Sequence, residues 1–302
     1  MGLKDLTTGY GQSQRAPARD LLRHGALSTL ARYYKATGHL SSALARPRIQ
    51  FLYLHYVFEA GKDPFRRLLT RLSADHRFIS YSEAVDRILK GNIDAPYISI
   101  SVDDGLKDSL IAAEVMNEFG IQGCFFSCAS MIGETDPRRI LEFCSRQLNM
   151  PAMDFLSWDD VEALSKAGHE IGSHTLSHLN LAQLSEQQAE AEIAGSFELL
   201  TRKLGAVKHF AWPYGRFSDL NVSSARMVFQ AGFTSCASAQ RGCHVARAPK
   251  GEASLCIRRD NTVATWPVDH VLYLMARNSE LASPETNHWP AELRERSVAG
   301  DK

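Results

Sequence analysis

Short apolar stretches alternate with helix-patterned stretches from residue 49 to residue 275, and no other feature restricts the fold as much. The apolar runs at 49–54, 98–102, 124–128, 170–171, 209–212, 233–237 and 254–257 read as strands. Between them apolar residues recur at helical spacing, as in Phe65, Leu68, Leu69 and Leu72, or Ile193, Phe197, Leu200 and Leu204. Further helices are read over 82–89, 109–119, 158–167, 223–231 and 269–275. Gly91, Gly120, Gly168, Gly205 and Gly232 stand where helices stop, and Ser185 with Gln188 makes a capping-box pattern before the helix that reaches Leu204. Strand–helix alternation calls for parallel strands with helical crossovers, closed as a barrel or left open as a doubly wound sheet. Residues 131–155 read as irregular, and a connection that long is a candidate active-site or binding loop.

Composition narrows the class. The 302 residues carry no net charge at neutral pH, which gives no basis for electrostatic capture of nucleic acid or of an anionic membrane. No apolar run reaches the length of a membrane span. The first thirty residues hold Arg15, Arg19 and Arg23 with no continuous apolar core, which is not the pattern of a secretory signal, so the expected location is the cytoplasm. Six cysteines are then expected as reduced core thiols. Residues 1–45 read as a partly helical, Arg-rich extension, with peripheral contact to the inner membrane face as the most it would make. Residues 46–278 form the main domain and 279–302 a flexible tail.

Two places carry chemistry, and both follow strands, where barrel active sites lie. The run 98–102 ends in Asp103-Asp104-Gly105, and the run at 170–171 leads into Gly172-Ser173-His174-Thr175-Leu176-Ser177-His178. One Asp and two His at i,i+4 make three ligands for a divalent metal with a position left open for water. The second Asp is left over as a base. A hydrolase is the leading reading.

These residues resemble the polysaccharide deacetylases with a NodB homology domain, carbohydrate esterase family 4, over roughly residues 48–275. Five segments carry the resemblance: 51–57; 101–105, similar to Thr-Phe-Asp-Asp-Gly; 157–159 with 167–178, the histidine motif and its lead-in; Phe210-Ala211-Trp212-Pro213-Tyr214-Gly215; and 255–259, a late strand ending in Arg. It implies an α/β fold, a distorted (β/α)7-type barrel. It also implies removal of an acyl group from an amino sugar, assisted by a divalent metal: zinc first, with cobalt, manganese or nickel as alternatives. Asp104, His174 and His178 take the metal-ligand positions and Asp103 that of the general base. The backbone N–H of Tyr214 takes the oxyanion position, with Trp212, Pro213, Tyr214 and Gly215 as the substrate-binding turn.

Two departures matter. Many members carry an Arg where this chain has Ala211. In the subgroup with a Phe-Ala-x-Pro-Tyr-Gly motif a late-strand Arg replaces it, so Arg258 is the candidate to orient Asp103, with Arg259 next. The late Leu-x-His motif is not found either, which leaves His55 as candidate general acid, ahead of His244 and His270. The expected substrate is an amino sugar or oligosaccharide, nucleotide- or lipid-linked, in assembly of a bacterial surface polysaccharide such as O-antigen, capsule or exopolysaccharide. Two alternatives are a C–N hydrolase of ureides or imides on the same fold, and a catalytically dead carbohydrate-binding scaffold.

Overall fold

A computed structural model describes residues 17–247, 255–284 and Trp289. The elements in chain order are α1 (Pro17–Ala36), α2 (His39–Leu44), β1 (Arg48–Leu54), α3 (Glu59–Ser73), β2 (Arg77–Phe78), α4 (Tyr81–Lys90), β3 (Pro96–Val102), α5 (Ser109–Glu118) and β4 (Cys124–Ser127). Then come α6 (Pro137–Phe143), α7 (Trp158–Lys166), β5 (Glu170–Ser173), α8 (Glu186–Leu204), β6 (His209–Ala211), α9 (Val222–Gln230), β7 (Ser235–Ala237), β8 (Cys256–Ile257), β9 (Arg259–Asn261) and α10 (Val268–Leu281). The strands form one sheet in the order β8-β7-β6-β5-β4-β3-β1-β9, with β2 set beside β3, and every ladder between them is parallel. Only Arg258 separates β8 from β9, so one broken strand pairs with β7 at its start and β1 at its end. Counting β8 and β9 together, the strands β1, β3, β4, β5, β6, β7 and β8–β9 are seven staves of a nearly closed barrel.

Strand alternation sorts the core into two compartments. Ile49, Phe51, Tyr97, Cys124, Phe126, Ala211, Ala237, Leu255 and Ile257 fill the barrel. Leu52, Leu54, Ile98, Ile100, Val102, Phe125, Phe210, Trp212 and Cys256 face outward under the helices. The helices start and stop as local chemistry dictates. Ser157 with Asp160 and Ser185 with Gln188 form complete capping boxes, each cap worth about 1 kcal/mol.

Two regions differ from the sequence reading. The connection 131–155 is not wholly irregular: Asp136 caps α6, a π-helical turn follows at Cys144–Leu148, and both pack through Ile140, Phe143 and Cys144 onto Leu106 and Phe155. Apolar residues there are spaced for a satellite core rather than for a long helix, which hid the elements. The tail begins later than expected, because α10 continues to Leu281. Trp289 is buried and stacks on Trp212 at 5.9 Å, so that part of the segment is anchored. Residues 1–16 and 290–302, and the strand start at 254, lie outside the described residues. All six cysteines are buried thiols, none of them in a disulfide. No helix among the described residues is long and apolar enough to cross a membrane.

The N-terminal end of the barrel holds a buried polar network with a pH consequence. Arg48 donates to Nε2 of His76 at 2.9 Å, and Nδ1–H of His76 donates to the Leu72 carbonyl at 3.3 Å. Burial first, then the Arg48 charge, pushes His76 down to about 4. In the unfolded chain an imidazole titrates near 6.5, so between those values the unfolded state binds a proton that the fold refuses. Stability is full above about pH 6.5 and falls as the pH drops toward 4, by up to about 3 kcal/mol from this group. Urea midpoints measured across that window should fall less steeply in His76→Gln than in the wild type. Equal slopes would remove His76 from the account.

Candidate active site

The C-terminal ends of the strands bring the predicted residues together. Along β3 the inward positions run Tyr97, Ser99, Ser101, and the next inward residue is Asp103, whose N–H donates to the Leu54 carbonyl at 2.8 Å. Asp104 follows with φ of +74°, a left-handed turn that swings its carboxylate back to the mouth instead of outward. Gly105 keeps that turn possible: its φ is +75°, and a Cβ would lie 2.9 Å from Cβ of Ser127. Two adjacent carboxylates therefore reach one pocket, and all four residues Asp103, Asp104, His174 and His178 are buried.

Asp103 is held by Arg259. Nη1 donates to Oδ1 at 2.7 Å and Nη2 to Oδ2 at 2.8 Å, a bidentate fork. The same guanidinium donates Nε–H to the Ser238 carbonyl at 2.8 Å and reaches Oγ of Ser101 at 3.1 Å, over the faces of Tyr53 and Phe126. Burial works against its charge, but Asp103 outweighs burial and keeps the guanidinium protonated. Assigning this contact to Arg258 is therefore corrected. Leu255 and Ile257 point into the barrel, so the next inward residue is Arg259, while Arg258 faces out over Phe217 at 5.2 Å.

The histidine loop is clamped from below by α8. Glu192 accepts from the Ser177 N–H at 2.8 Å and from the Ser177 hydroxyl, and the Ser173 and Ser196 hydroxyls bond at 2.7 Å. Nδ1–H of His174 donates to the Ala211 carbonyl at 2.7 Å, which turns Nε2 inward. The His178 ring lies edge-on to His174 and to Tyr214, each at 5.0 Å. Among the described residues five non-glycines have positive φ, and four of them, Asp104, Thr175, His178 and Tyr214, belong to this site. For Thr175, which is β-branched, that conformation is a true outlier, and such strain concentrates where geometry is functional.

Oδ1 of Asp104 stands 3.5 Å from Nε2 of both His174 and His178. That is too long for a hydrogen bond, and it is roughly the spacing of ligand atoms around one ion with bonds of about 2.1 Å. Three lone-pair donors converge with all three atoms within 4.8 Å of one another. Their titration suits such a role. Burial raises the Asp104 carboxyl, but His174, His55 and His178 outweigh it and hold it well below the usual carboxylate range. Burial and His174 push His178 down to about 4, so it is neutral at pH 7 with its lone pair free. Burial also lowers His174, but Asp104 and Asp103 outweigh it and raise it, so protons compete for its Nε2.

The Pro213-Tyr214-Gly215 turn sits against this cluster. Tyr214 has φ of +61° and is 46% exposed, while Pro213 and Gly215 are buried beneath it. Gly215 cannot be replaced, since a Cβ would lie 2.4 Å from Cβ of Ala239. Trp212 is the second correction. It reaches neither solvent nor the barrel interior: Ala211 takes the inward position, and Trp212 is buried under the helices with Nε1–H on the Arg216 carbonyl at 2.9 Å. It cannot stack on a sugar. His55 follows the inward positions 51 and 53 at the mouth and acts on both Asp104 and His178. His244 pairs with Ile49 at the opposite end of the barrel, and His270 bonds Ser28, so neither belongs to the site. Glu192 and Ser196 were not read as part of the site from the sequence. The available signal was polar residues on the buried face of α8, alongside Ala189, Ile193 and Leu200.

Residues 90–234 match the family model for polysaccharide deacetylase. No curated protein matches the sequence significantly. Among solved structures, a Streptococcus pyogenes deacetylase, PplD, in complex with acetate is similar with a TM-score of 0.57 at 17% identity, covering 76% of this chain and 98% of that one. IcaB from Ammonifex degensii gives 0.57 at 19% identity, with 75% and 99% covered. A de-N-acetylase from Aggregatibacter actinomycetemcomitans gives 0.60 at 15% identity, with 75% and 99% covered. At such identities the likeness speaks for the fold, the barrel described above. The family match covers the segment that holds Asp103, Asp104, His174, His178 and the Tyr214 turn, so residues 90–234 are similar to polysaccharide deacetylases in sequence and the barrel is similar to theirs in fold.

Proposed function

We propose that this protein is a metal-dependent hydrolase that removes an N-acetyl or other small N-acyl group from an amino-sugar derivative. The observation that carries the reading is the convergence of Asp104, His174 and His178 beside a second carboxylate, Asp103, locked by a buried guanidinium. The three would hold a divalent cation, zinc by donor type, with cobalt, manganese or nickel also fitting Asp and His ligands. Such a cation, when bound, supplies Lewis acidity that lowers the pKa of water and polarises a carbonyl.

This chain's own residues do the rest. Arg259 fixes the plane of the Asp103 carboxylate and uses one lone pair on each oxygen, leaving the others to accept the proton of an attacking water. The Tyr214 N–H, on the strained turn at the mouth, donates to the oxyanion as the amide carbon becomes tetrahedral. His55 at the rim hands a proton to the leaving amine. A binding scaffold would have no use for a base held this rigidly, and the intact ligand trio speaks against the ureide and imide reading. Nucleotide- or lipid-linked amino sugars in surface-polysaccharide assembly are the substrates we favour.

Acetate release from UDP-N-acetylglucosamine and from short N-acetylglucosamine oligomers, with and without a chelator, tests the reading. Chelator-sensitive acetate, restored by added zinc or cobalt, is the expected result. Protein that binds no divalent cation would sink it. Cation binding should weaken as the pH falls, since His174 and His178 must be deprotonated to coordinate. Calorimetric titration with zinc at two pH values reads this directly.

A further inference from the structure

Net neutrality conceals a segregated charge. From Leu21 to Phe58 the chain holds Arg23, Arg32, Lys35, Arg46 and Arg48 and not one Asp or Glu. Arg48 is buried at the closed end of the barrel, but Arg32, Lys35 and Arg46 are exposed. Apolar exposure gathers on the same segment. Of the eight large apolar side chains exposed among the described residues, four lie on α1: Leu21, Leu22, Leu30 and Tyr33. Leu22 is 74% exposed and Tyr33 58%.

The inner face of α1 is already used. Ala31 is buried, Oγ of Ser28 bonds Nε2 of His270 at 2.9 Å, and the Tyr34 hydroxyl donates to Glu280 at 2.8 Å with its ring edge-on to Tyr273. Those contacts hold the helix along α10. Leu22, Ala26, Leu30 and Tyr33 follow one another at helical steps, so they share the opposite face, and all four are exposed. Arg23 stands on one flank of that stripe and Arg32 on the other, with Lys35 in the last turn. Arg23 also lies over the Trp266 ring at 5.0 Å, in the segment between β9 and α10. The start of α1 is therefore at the mouth end of the barrel, and the helix runs beside α10 away from it.

Charge and shape together decide what covers this face. Exposed leucine and tyrosine between cationic flanks suit a helix lying in the plane of a membrane surface, where apolar chains enter the acyl boundary and Lys and Arg stay among the headgroups. Anionic headgroups complement a surface that carries no acid. A second copy docked through the same helix would bring two cationic faces together. Nucleic acid would use the arginines and leave Leu22, Leu30 and Tyr33 in water. We infer that α1 seats this protein on an anionic bilayer, with the barrel mouth at the lipid surface. An amino sugar on a lipid carrier would then meet the mouth without leaving the membrane. Only that last step rests on the deacetylase reading; the docking stands apart from it.

The test is sedimentation of the full protein with vesicles of phosphatidylcholine alone and of phosphatidylcholine mixed with phosphatidylglycerol, at low and high salt. Binding to the mixed vesicles at least about tenfold tighter than to phosphatidylcholine alone, and weakened by salt, is the expected result. Arg32→Gln and Lys35→Gln should each weaken it about fivefold. Leu22→Ser with Tyr33→Ser should weaken it by about tenfold or more. These side chains are exposed and lie outside the active site, so acetate release from a soluble amino sugar should stay unchanged in every variant. No binding to mixed vesicles, equal binding to both lipids, or variants that bind like the wild type would overturn the docking. Self-association that the same substitutions abolish, without vesicle binding, would overturn it in favour of a second copy. Vesicle binding that depends on these residues, without acetate from any substrate, would keep the docking and overturn the deacetylase reading instead.

Discussion

Asp103→Asn is expected to lower acetate release by about 10²–10⁴-fold while leaving cation binding in place, since a general base contributes that much and Asp103 is not among the three ligands. The substitution keeps the shape and removes the proton acceptor. It also leaves the Arg259 charge buried against an amide, so some loss of stability accompanies it. Circular dichroism and metal content on the same sample separate the two effects. A folded, metal-loaded variant that retains a tenth or more of the activity would remove Asp103 as the base.

Arg259→Met is expected to cost about 3–5 kcal/mol of stability, because it strands a buried carboxylate that takes two charge-assisted bonds from that fork. Arg258→Ala, one residue away on the outward face, should cost under about 1 kcal/mol. A double variant sharpens the contrast. Replacing both members, Asp103→Leu with Arg259→Met, should recover much of the lost stability, as apolar replacement of a buried pair often does, and recover none of the activity. Urea denaturation of the four proteins reads the first expectation. Similar losses in Arg258→Ala and Arg259→Met would mean that the fork does not hold the barrel mouth as described.

The contrast between these two arginines also shows where the sequence was legible. The barrel followed from the alternation of strands and helices, and the site from Asp103-Asp104-Gly105 and the His174–His178 spacing, because each is a local pattern. Choosing between Arg258 and Arg259 needed the inward register of a strand only two residues long, β8, followed by a break. Once Leu255 and Ile257 are known to face inward, Arg259 follows by parity. Trp212 failed for the same reason, one residue past an inward Ala211. The elements within 131–155 were hidden because their apolar residues serve a small separate core. Glu192 was hidden because its partner, Ser177, lies fifteen positions back across a turn.

The broken strand that closes the barrel has a consequence for how the molecule comes into being. Asp103 and Arg259 are 156 residues apart, and the latter arrives on the last stave. During synthesis, strands β1 to β7 can form before any counter-charge exists for the carboxylate at their centre. Such a partial sheet has two open edges and an unneutralised acid in its interior, a poor state to persist in. Closing the last stave supplies the guanidinium and both missing ladders at once, so assembly of the catalytic mouth and completion of the fold become a single late event. Nascent chains released short of that stave should therefore be recognised as unfinished by any protease or chaperone that samples exposed strand edges.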